Sequence, residues 1–467
     1  MHRTAPRYID WLRNGVYCGL AACAAPWIAH RMITTPRARQ GLGEKLRGPR
    51  ADRFGSPAPD VGSPPRANQP ADCVWMHGVS VGEVQLLHPL ALRLRREQPD
   101  APIVISTTTA SGMELAQRLY PSNHLFYFPF DFSWSVAASL DALRPAMIVL
   151  GELELWPNLI AEANRRSIPI AVVNGRLSDR SYRGYRRIGR LSRGMFQGLS
   201  LVAAQTPAYA ERFIACGCAE RRVHVTGNTK FDNVAFDRTH PEVERLRRLA
   251  GIGTRHRIVM AGSTQDPEEA FAVQALQRCR QLSPEARLIV VPRHPDRFEQ
   301  VHVQLTRSGL RVARRTELTA PTSADLWDIL LVDTVGELRW WWGMAEIALV
   351  GGSFGQRGGQ NMLEPAAYGS NVLLGPNTSN FRDVVDLLVA AQAVRVVPSL
   401  EALPEIIEQE FLHPAAGRSR GVRAREAIRE HQGALERTAV LLRQLFAASA
   451  ASQRQRRAIS ARAQQHE

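Results

Sequence analysis

Lysine is almost missing from this chain. Of 59 basic residues in 467, all but two are arginine, and the two lysines are Lys45 and Lys230. Cysteine is sparse as well: six residues (Cys18, Cys23, Cys73, Cys216, Cys218 and Cys279) at irregular spacings. That pattern gives no disulfide framework and no zinc site with paired C-x2-C arms, and it fits a reducing compartment. Cys216-Gly-Cys218 has the form of a redox pair but reads better as two ordinary loop thiols. No apolar run approaches the roughly 20 residues a bilayer span needs. There is no Walker A loop, no G-x-S-x-G elbow and no H-E-x-x-H helix. No Asp-x-Asp pair occurs either, which argues against a metal-bridged diphosphate donor. Helix-turn-helix and zinc-finger spacings are absent, so no nucleic-acid partner is expected.

What is present is an ordinary globular composition, 45% hydrophobic and 22% charged, with material for two full cores. The net charge of +15 favours an anionic partner, although genome composition also enriches arginine. Near the start, Val16–Ala29 forms a 14-residue apolar run between Arg7 and Arg13 on one side and His30, Arg31, Arg37 and Arg39 on the other. Residues 1–46 are therefore expected to form a membrane anchor or interfacial helix meeting an anionic surface, with a signal peptide and a buried core helix as competing readings. Residues 47–72, rich in Pro, Gly, Arg and Ser, read as a linker.

From Cys73 an α/β rhythm begins. Strands are predicted at 73–79, 102–107, 125–128, 146–150, 168–174 and 201–205, with helices between them. The rhythm restarts after Asn233, with strands at 257–261, 287–291, 329–332, 347–350 and 372–374. Short apolar runs alternating with helices imply parallel sheets buried on both faces. The fold class is thus α/β, with two Rossmann-like doubly wound domains at 73–236 and 237–446 and a disordered tail at 447–467. In such folds ligands gather beyond the carboxyl ends of the strands, here in an expected interdomain cleft.

The chemistry-bearing residues cluster at those ends. His77-Gly-Val-Ser-Val-Gly-Glu83 leaves the first strand; Glu83 is either a first-turn helix glutamate or a base, and His77 reads as a buried histidine. Gly151-Glu152-Leu-Glu154-Leu-Trp-Pro-Asn158 follows the fourth strand. Alternation sends the two glutamates to opposite sides, so one can face the site while the other is structural. Lys230, in Thr226-Gly-Asn-Thr-Lys-Phe-Asp232, offers a compact cation where developing charge needs one, whereas Lys45 reads as a surface cation. In the second half Arg293, after Pro292, suits bidentate phosphate binding. Asp333-Thr-Val335-Gly336-Glu337 makes a further turn into a helix. A glycine-rich stretch leads into Asn361-Met362-Leu363-Glu364, whose glutamate suits ribose hydroxyls.

Together SVGE, E-x-E-x-WPN, NGRLSDRS (174–181), GNTKFD, AGST, PRHP, DTVGEL and GGS…GGQNMLEPAAYG…LGPNTSNF resemble the 3-deoxy-D-manno-octulosonic acid (Kdo) transferase family, in order, over roughly residues 8–443 outside the proline-rich insert. The resemblance implies a GT-B fold and inverting, metal-independent transfer of Kdo from CMP-Kdo to a lipid A precursor (lipid IVA) at the cytoplasmic face of the inner membrane, with no cofactor. It implies Glu83 as proton acceptor and Glu152 and Lys230 as transition-state stabilisers. CMP would be held by Pro292, Arg293, Val335, Gly336, Glu337, Asn361, Met362, Leu363 and Glu364. The sequence departs from the family where Gln265 and Gln360 replace the usual histidines, and its 47–72 insert is longer. Competing readings are a lipid-A-disaccharide synthase or nucleotide-sugar 2-epimerase on the same fold, against which SVGE and E-x-E-x-WPN argue, and a non-catalytic basic scaffold that binds anionic lipid.

Overall fold

Apolar runs with β-branched residues leave little choice but buried parallel strands, and the computed structural model contains two such sheets. It describes residues 7–50, 73–99, 101–121, 124–234 and 237–464, so most of the expected linker lies outside the described residues. Two compact units are present, Met1–Asp232 with Gln432–Glu467, and Asn233–His431.

In the first unit the strands are β1 (Cys73–His77), β2 (Ile103–Thr107), β3 (His124–Tyr127), β4 (Pro145–Gly151), β5 (Ile170–Gly175), β6 (Leu201–Ala204) and β7 (Val223–Val225). They pair in parallel in the order β3-β2-β1-β4-β5-β6-β7. Alternate residues of β1 enter opposite cores: Cys73 and Trp75 join Ile148 and Ile170, while Val74 and Met76 join Val149 and Ala171. Trp75 is fully buried and its indole N–H donates to Ser106 Oγ at 2.7 Å, which removes the desolvation cost of its one polar group.

The second unit has β8 (Arg257–Thr264), β9 (Ala286–Pro292), β10 (Val312–Arg314), β11 (Ile329–Leu331), β12 (Ile347–Val350), β13 (Asn371–Leu374) and β14 (Val394–Val396). These run parallel in the order β10-β11-β9-β8-β12-β13-β14. The edge strands β7, β10 and β14 were not anticipated. Each has three residues and stays half-exposed, so it lacks the apolar run that marks the interior strands.

The C-terminus corrects two expectations. The boundary expected at 446 moves to 431, and the supposed disordered tail from 447 is part of a helix, Ala434–Gln464. Ala439, Leu442 and Phe446 of that helix are buried in the first unit's core beside Val74 and Met147. Its start is capped from a distance: Asp232 accepts from the backbone N–H groups of Gly433 and Leu435, both at 2.6 Å, satisfying donors a helix start leaves orphaned.

At the other end, Arg7–Thr34 is one long helix. No helix among the described residues is long and apolar enough to cross a membrane. The Arg7–Thr34 helix points its polar side into the protein. Asn14 donates to Ser133 Oγ at 2.7 Å, Tyr17 donates to Asp131 at 3.0 Å, and Asp10 pairs with Arg165 at 2.6 Å. Its apolar side, carrying Trp11, Leu12, Val16, Leu20 and Trp27, is exposed. At 100° per residue these positions occupy the arc opposite Asp10, Asn14 and Tyr17. The usual amphipathic arrangement is thus inverted.

Asp131 is the pivot of the docking. It is buried, and its carboxylate also accepts from the N–H groups of Asn158 and Leu159, at 2.9 Å each, at the start of the Pro157–Arg165 helix. Burial pushes this carboxyl up to about 6 against those hydrogen bonds. Replacing Asp131 with Ala strands two buried backbone donors and the Tyr17 hydroxyl. Chemical denaturation of the variant is expected to show a loss of about 2–3 kcal/mol, and an unchanged midpoint would show that the helix docks by other means.

Candidate functional site

In a parallel sheet, the place where strand order reverses leaves a crevice at the carboxyl ends, because the following helices diverge to opposite faces. In the first unit that place lies between β1 and β4. The loops leaving these two strands carry Glu83 and Glu152, so two of the three sequence-derived catalytic candidates flank one crevice.

Ser80 caps the Val81–Glu97 helix, its hydroxyl accepting from Glu83 N–H at 3.4 Å. Glu83 folds back: Oε2 accepts from Val79 N–H at 2.7 Å and Oε1 from the Ser80 hydroxyl at 3.1 Å. This is a capping box displaced by one residue. Gly78 makes the fold-back possible, since a Cβ there would lie 3.0 Å from Glu83 and from the Val84 nitrogen. Burial pushes the Glu83 carboxyl above the usual range, the Val79 N–H holds it down, and the Glu152 charge adds to the rise. The structural and catalytic readings of Glu83 therefore coexist: the cap holds the side chain, and each oxygen keeps a free lone pair.

His77 is fully buried, stacked on Phe128 at 3.7 Å, with Nδ1 in contact with Ser106 at 3.0–3.1 Å. Burial drives its imidazolium form down to about 3, so it is a neutral packing residue, as the sequence reading had it.

Glu152 has φ +51°, in the left-handed region that glycine favours. Its N–H donates to Val173 O at 2.9 Å, which keeps the loop on the sheet despite the strain. Two residues on, Glu154 is pushed up to about 7 by burial, then by the Glu83 charge, with the Trp156 indole opposing and the Glu152 charge adding. Of the two alternating glutamates, Glu152 acts on Glu83, and Glu83 acts on Glu154.

Lys230 sits in a short 3-10 turn, Thr229–Asn233. Asn174, buried at φ +52°, accepts from Thr229 N–H at 3.1 Å, and Asn228 Oδ1 accepts from Lys230 N–H at 3.0 Å. Asp232 ties the far side of the turn to the C-terminal helix. Asn174 and Asp232 support this turn, a part that their motifs in the sequence do not reveal. Lys45 differs from its expected surface role: it lies over the Tyr127 ring at 4.8 Å, and partial burial lowers its ammonium below the usual range. Cys216 and Cys218 are buried free thiols, both raised by burial and Cys218 to about 12, which removes the redox reading.

In the second unit the reversal lies between β8 and β12. Glu268, not singled out from the sequence, bridges the loops after both strands. It accepts from Gln265 N–H at 2.9 Å and from Gly352 N–H at 2.8 Å. Burial raises its carboxyl to about 7. Ser263, just before, has φ +54°. Gly352 has φ +70°, and a Cβ on it would meet Gln360 and Gln265 at 3.2–3.3 Å.

The structure brings several candidate donor-binding residues to these loops. Arg293 is exposed after Pro292, which ends β9; its N–H donates to Thr264 O at 3.0 Å and its Nε to Gln360 Oε1 at 3.1 Å. Gln360 thus orients the candidate phosphate-binding guanidinium. The Glu337 carboxylate is committed to Arg315 at 2.8 and 2.9 Å and to Thr334 at 2.7 Å, and these partners hold it below the usual range against burial. Its part is to fix the turn whose backbone, Val335 and Gly336 at φ +94°, lies open. Met362 and Leu363 are buried, so only their backbones can face a ligand. Asn361 accepts from Leu363 N–H at 3.1 Å, and Glu364 is raised by burial, with Arg339 opposing.

Among the described residues, His256, Glu285 and Asp325 are close enough together to hold an ion. However, His256 Nδ1 accepts from Gly253 N–H at 2.9 Å, which places the proton on Nε2 facing Asp325 at 3.4 Å. Asp325 is also paired with Arg255. This group braces the amino end of β8, away from the carboxyl-end loops. A cavity of about 190 Å³ lined by Arg238, Glu346 and Glu410 also lies at the amino ends of the strands.

The architecture of two parallel sheets is that of GT-B proteins. The UDP-GlcNAc 2-epimerase of Neisseria meningitidis superposes with a TM-score of 0.52 at 12% identity, covering 80% of this chain and 99% of that one, a likeness of fold alone. The sequence is more particular. The family model described as 3-deoxy-D-manno-octulosonic-acid transferase (kdotransferase) matches residues 50–233. The 3-deoxy-D-manno-octulosonic acid transferase of Bordetella pertussis is 33% identical over 435 residues, 91% of this chain and 97% of that protein. That of Haemophilus influenzae is 31% identical over 413 residues, 88% and 92% respectively. The chain belongs to the 3-deoxy-D-manno-octulosonic acid transferase family.

The left-handed backbone at Glu152 provides a test that separates strain from function. Glu152→Gly is expected to be more stable than Glu152→Ala by roughly 1 kcal/mol, because glycine alone avoids the Cβ clash of that conformation. Both variants are expected to lose turnover. Equal melting temperatures would contradict the strain, and full turnover in both would remove the carboxylate from the reaction.

Proposed function

We propose that the chain performs the transfer its family is named for, moving Kdo from CMP-Kdo to a hydroxyl of a lipid A precursor in lipopolysaccharide core biosynthesis. The observation that carries this reading is the Glu83 carboxylate, held at a strand-order reversal by Val79 N–H and the Ser80 hydroxyl. As the acceptor oxygen bonds to the anomeric carbon of Kdo, its proton passes to Glu83. The carbon–oxygen bond to the phosphate breaks, CMP leaves with the electron pair, and the configuration inverts. Lys230 neutralises charge on the departing phosphate, and Glu152 faces positive charge building on the sugar. Arg293, oriented by Gln360, binds the CMP phosphate. The open backbone at Val335–Gly336 and the Asn361–Glu364 turn receive the nucleoside. Lys230 and Arg293 supply the positive charge that this scheme requires, so it proceeds without a metal.

The inverted helix Arg7–Thr34 supports a place at the membrane. Its polar side is spent on the protein, and Trp11, Leu20 and Trp27 are left 60–76% exposed. An apolar arc of that size with Arg31 beside Trp27 suits the headgroup boundary of an anionic bilayer. We infer that the enzyme and its acceptor lipid share one surface, the cytoplasmic face of the inner membrane.

Two experiments test these readings. In a transfer assay with CMP-Kdo and a tetra-acylated lipid A precursor, Glu83→Gln is expected to lower kcat by about 100-fold or more while CMP binding, followed by calorimetry, is unchanged. Lys230→Arg, which keeps the charge but not the compact ammonium, is expected to lower kcat about 10-fold. Full activity in either variant removes that residue from its role. In flotation with vesicles containing phosphatidylglycerol, the full chain is expected to float and the Trp11→Ser/Leu20→Ser/Trp27→Ser variant to remain in the soluble fraction. Equal flotation would place membrane binding elsewhere.

A further inference from the structure

Two glutamine side chains meet at the carboxyl ends of β8 and β12, on loops whose backbone bonds bring them together. After β8 the left-handed Ser263 turns the chain, and Gln265 N–H bonds to the Glu268 carboxylate at 2.9 Å. The same carboxylate accepts from Gly352 N–H after β12 at 2.8 Å, so Glu268 fixes both loops. From Gly352 the second loop runs out and returns. Gly358 and Gly359 adopt φ +79° and +82°, and Gly359 N–H donates back to Gly352 O at 2.8 Å. Asn380 pins the far end of this excursion, its backbone N–H donating to Gly358 O at 3.0 Å and its amide to Arg357 O at 2.7 Å. Gln360 is thereby returned to Gly352. A Cβ on Gly352 would lie 3.3 Å from Gln265 Nε2 and 3.3 Å from Gln360 Nε2, and glycine leaves this point open.

The two amides differ in what holds them. Gln360 Oε1 accepts from Arg293 Nε at 3.1 Å. A guanidinium offers donors alone, so this bond fixes which end of the Gln360 amide faces it and leaves the NH2 group toward Gly352. Gln265 is only 9% exposed, yet its side-chain amide makes no hydrogen bond with any of the described residues. A buried amide without a partner costs free energy on folding, and packing alone would put an apolar side chain there. Unspent amide donors beside the exposed Arg293 guanidinium make a place for an oxygen-rich, anionic group.

The donor supplies such a group. In CMP-Kdo the carbon that loses the phosphate also carries the carboxylate of the sugar, so a phosphate held by Arg293 brings a second anionic group next to it. We propose that Gln265 and Gln360 form the subsite for that carboxylate, each donating an amide N–H to it. The proposal rests on the reading of CMP-Kdo as donor. Neutral donors suit the chemistry of this position. As the bond to the phosphate breaks, positive charge builds on the carbon attached to the carboxylate, and the negative carboxylate stabilises it. A cation on the carboxylate would cancel that help, whereas an amide holds the group and adds no charge. The glutamines exchange no proton and form no bond with the sugar. They orient it, and they favour a sugar acid over a neutral sugar.

The test compares a ligand that has the carboxylate with one that lacks it. Gln265→Met keeps the length of the side chain and removes its donor. In the transfer assay with the full chain, the KM for CMP-Kdo is expected to rise about 10-fold or more, while the Kd of CMP, measured by calorimetry, stays within about twofold. CMP binding also reports that the second unit is folded. A general loosening of the donor loops moves both constants together, and that result overturns the proposal, as does an unchanged KM. Should Gln265→Met fail to bind CMP, Gln265→Asn replaces it, since it keeps an amide but draws it back by one methylene. The same split between KM and Kd is expected there, and its absence overturns the proposal. The wild-type chain run alongside separates the two ideas. If it transfers nothing from CMP-Kdo, the functional reading fails and the subsite with it. If it transfers Kdo and the variants leave KM unmoved, the carboxylate subsite alone fails.

Discussion

Backbone N–H groups at the carboxyl ends of parallel strands have lost their sheet partners, and in both units a helix-start glutamate supplies the acceptor they need. Glu83 serves Val79 after β1; Glu268 serves Gln265 after β8 and Gly352 after β12. Both carboxyls are raised by burial and restrained by the same N–H bonds. The geometry of each crevice depends on these contacts, because they set where the loops turn and what they present. In the first unit the clamp is also the residue we propose as base; in the second it joins the loop after β8 to the loop after β12.

Around these clamps, left-handed non-glycine residues mark the points where strands end; Arg144, Ser167 and Gln392 adopt the same backbone after helices. Glu152, Asn174 and Ser263 all adopt left-handed φ values close to strand ends, each where the chain leaves a buried strand. Asn174 shows why such a conformation persists. Its side chain accepts from Thr229 while its carbonyl accepts from Gln205, so that one residue joins β5, the chain leaving β6 and the Lys230 turn. A relaxed backbone at 174 would lose that connection.

How much of this could be read beforehand follows from where information sits in a sequence. Long interior strands announce themselves: Ala146–Leu150 and Ile347–Val350 are continuous apolar runs. Glu83, Glu152 and Lys230 stand out by position at strand ends and, for Lys230, by rarity. Glu268 gave no such signal, since beside Glu269 at a helix start it looks like any first-turn acid; only the fold shows that its partner Gly352 comes from 84 residues away. The three-residue edge strands lack a pattern long enough to detect. The C-terminal helix was misassigned because adjacency in sequence was taken for adjacency in space. Its alanine-rich repeat carries few large apolar residues, and the decisive contact, Asp232 with its first turn, spans about 200 positions. Glu154 was visible as one of a pair, but the effect of the Glu83 charge on it is encoded by no motif.

That returning helix makes the second unit an insertion within the first. During synthesis the ribosome completes β1 to β7 early, yet the Ala434–Gln464 helix that covers part of their core emerges last, after all of the second unit. Val74, Met147 and Ala171 therefore wait for Ala439, Leu442 and Phe446 with a face of the sheet uncovered. A nascent chain in this state displays apolar surface while about 200 further residues are added, and the Lys230 turn waits as long for Asp232 to cap the new helix start. The order of translation thus leaves the half of the molecule made first to be finished last.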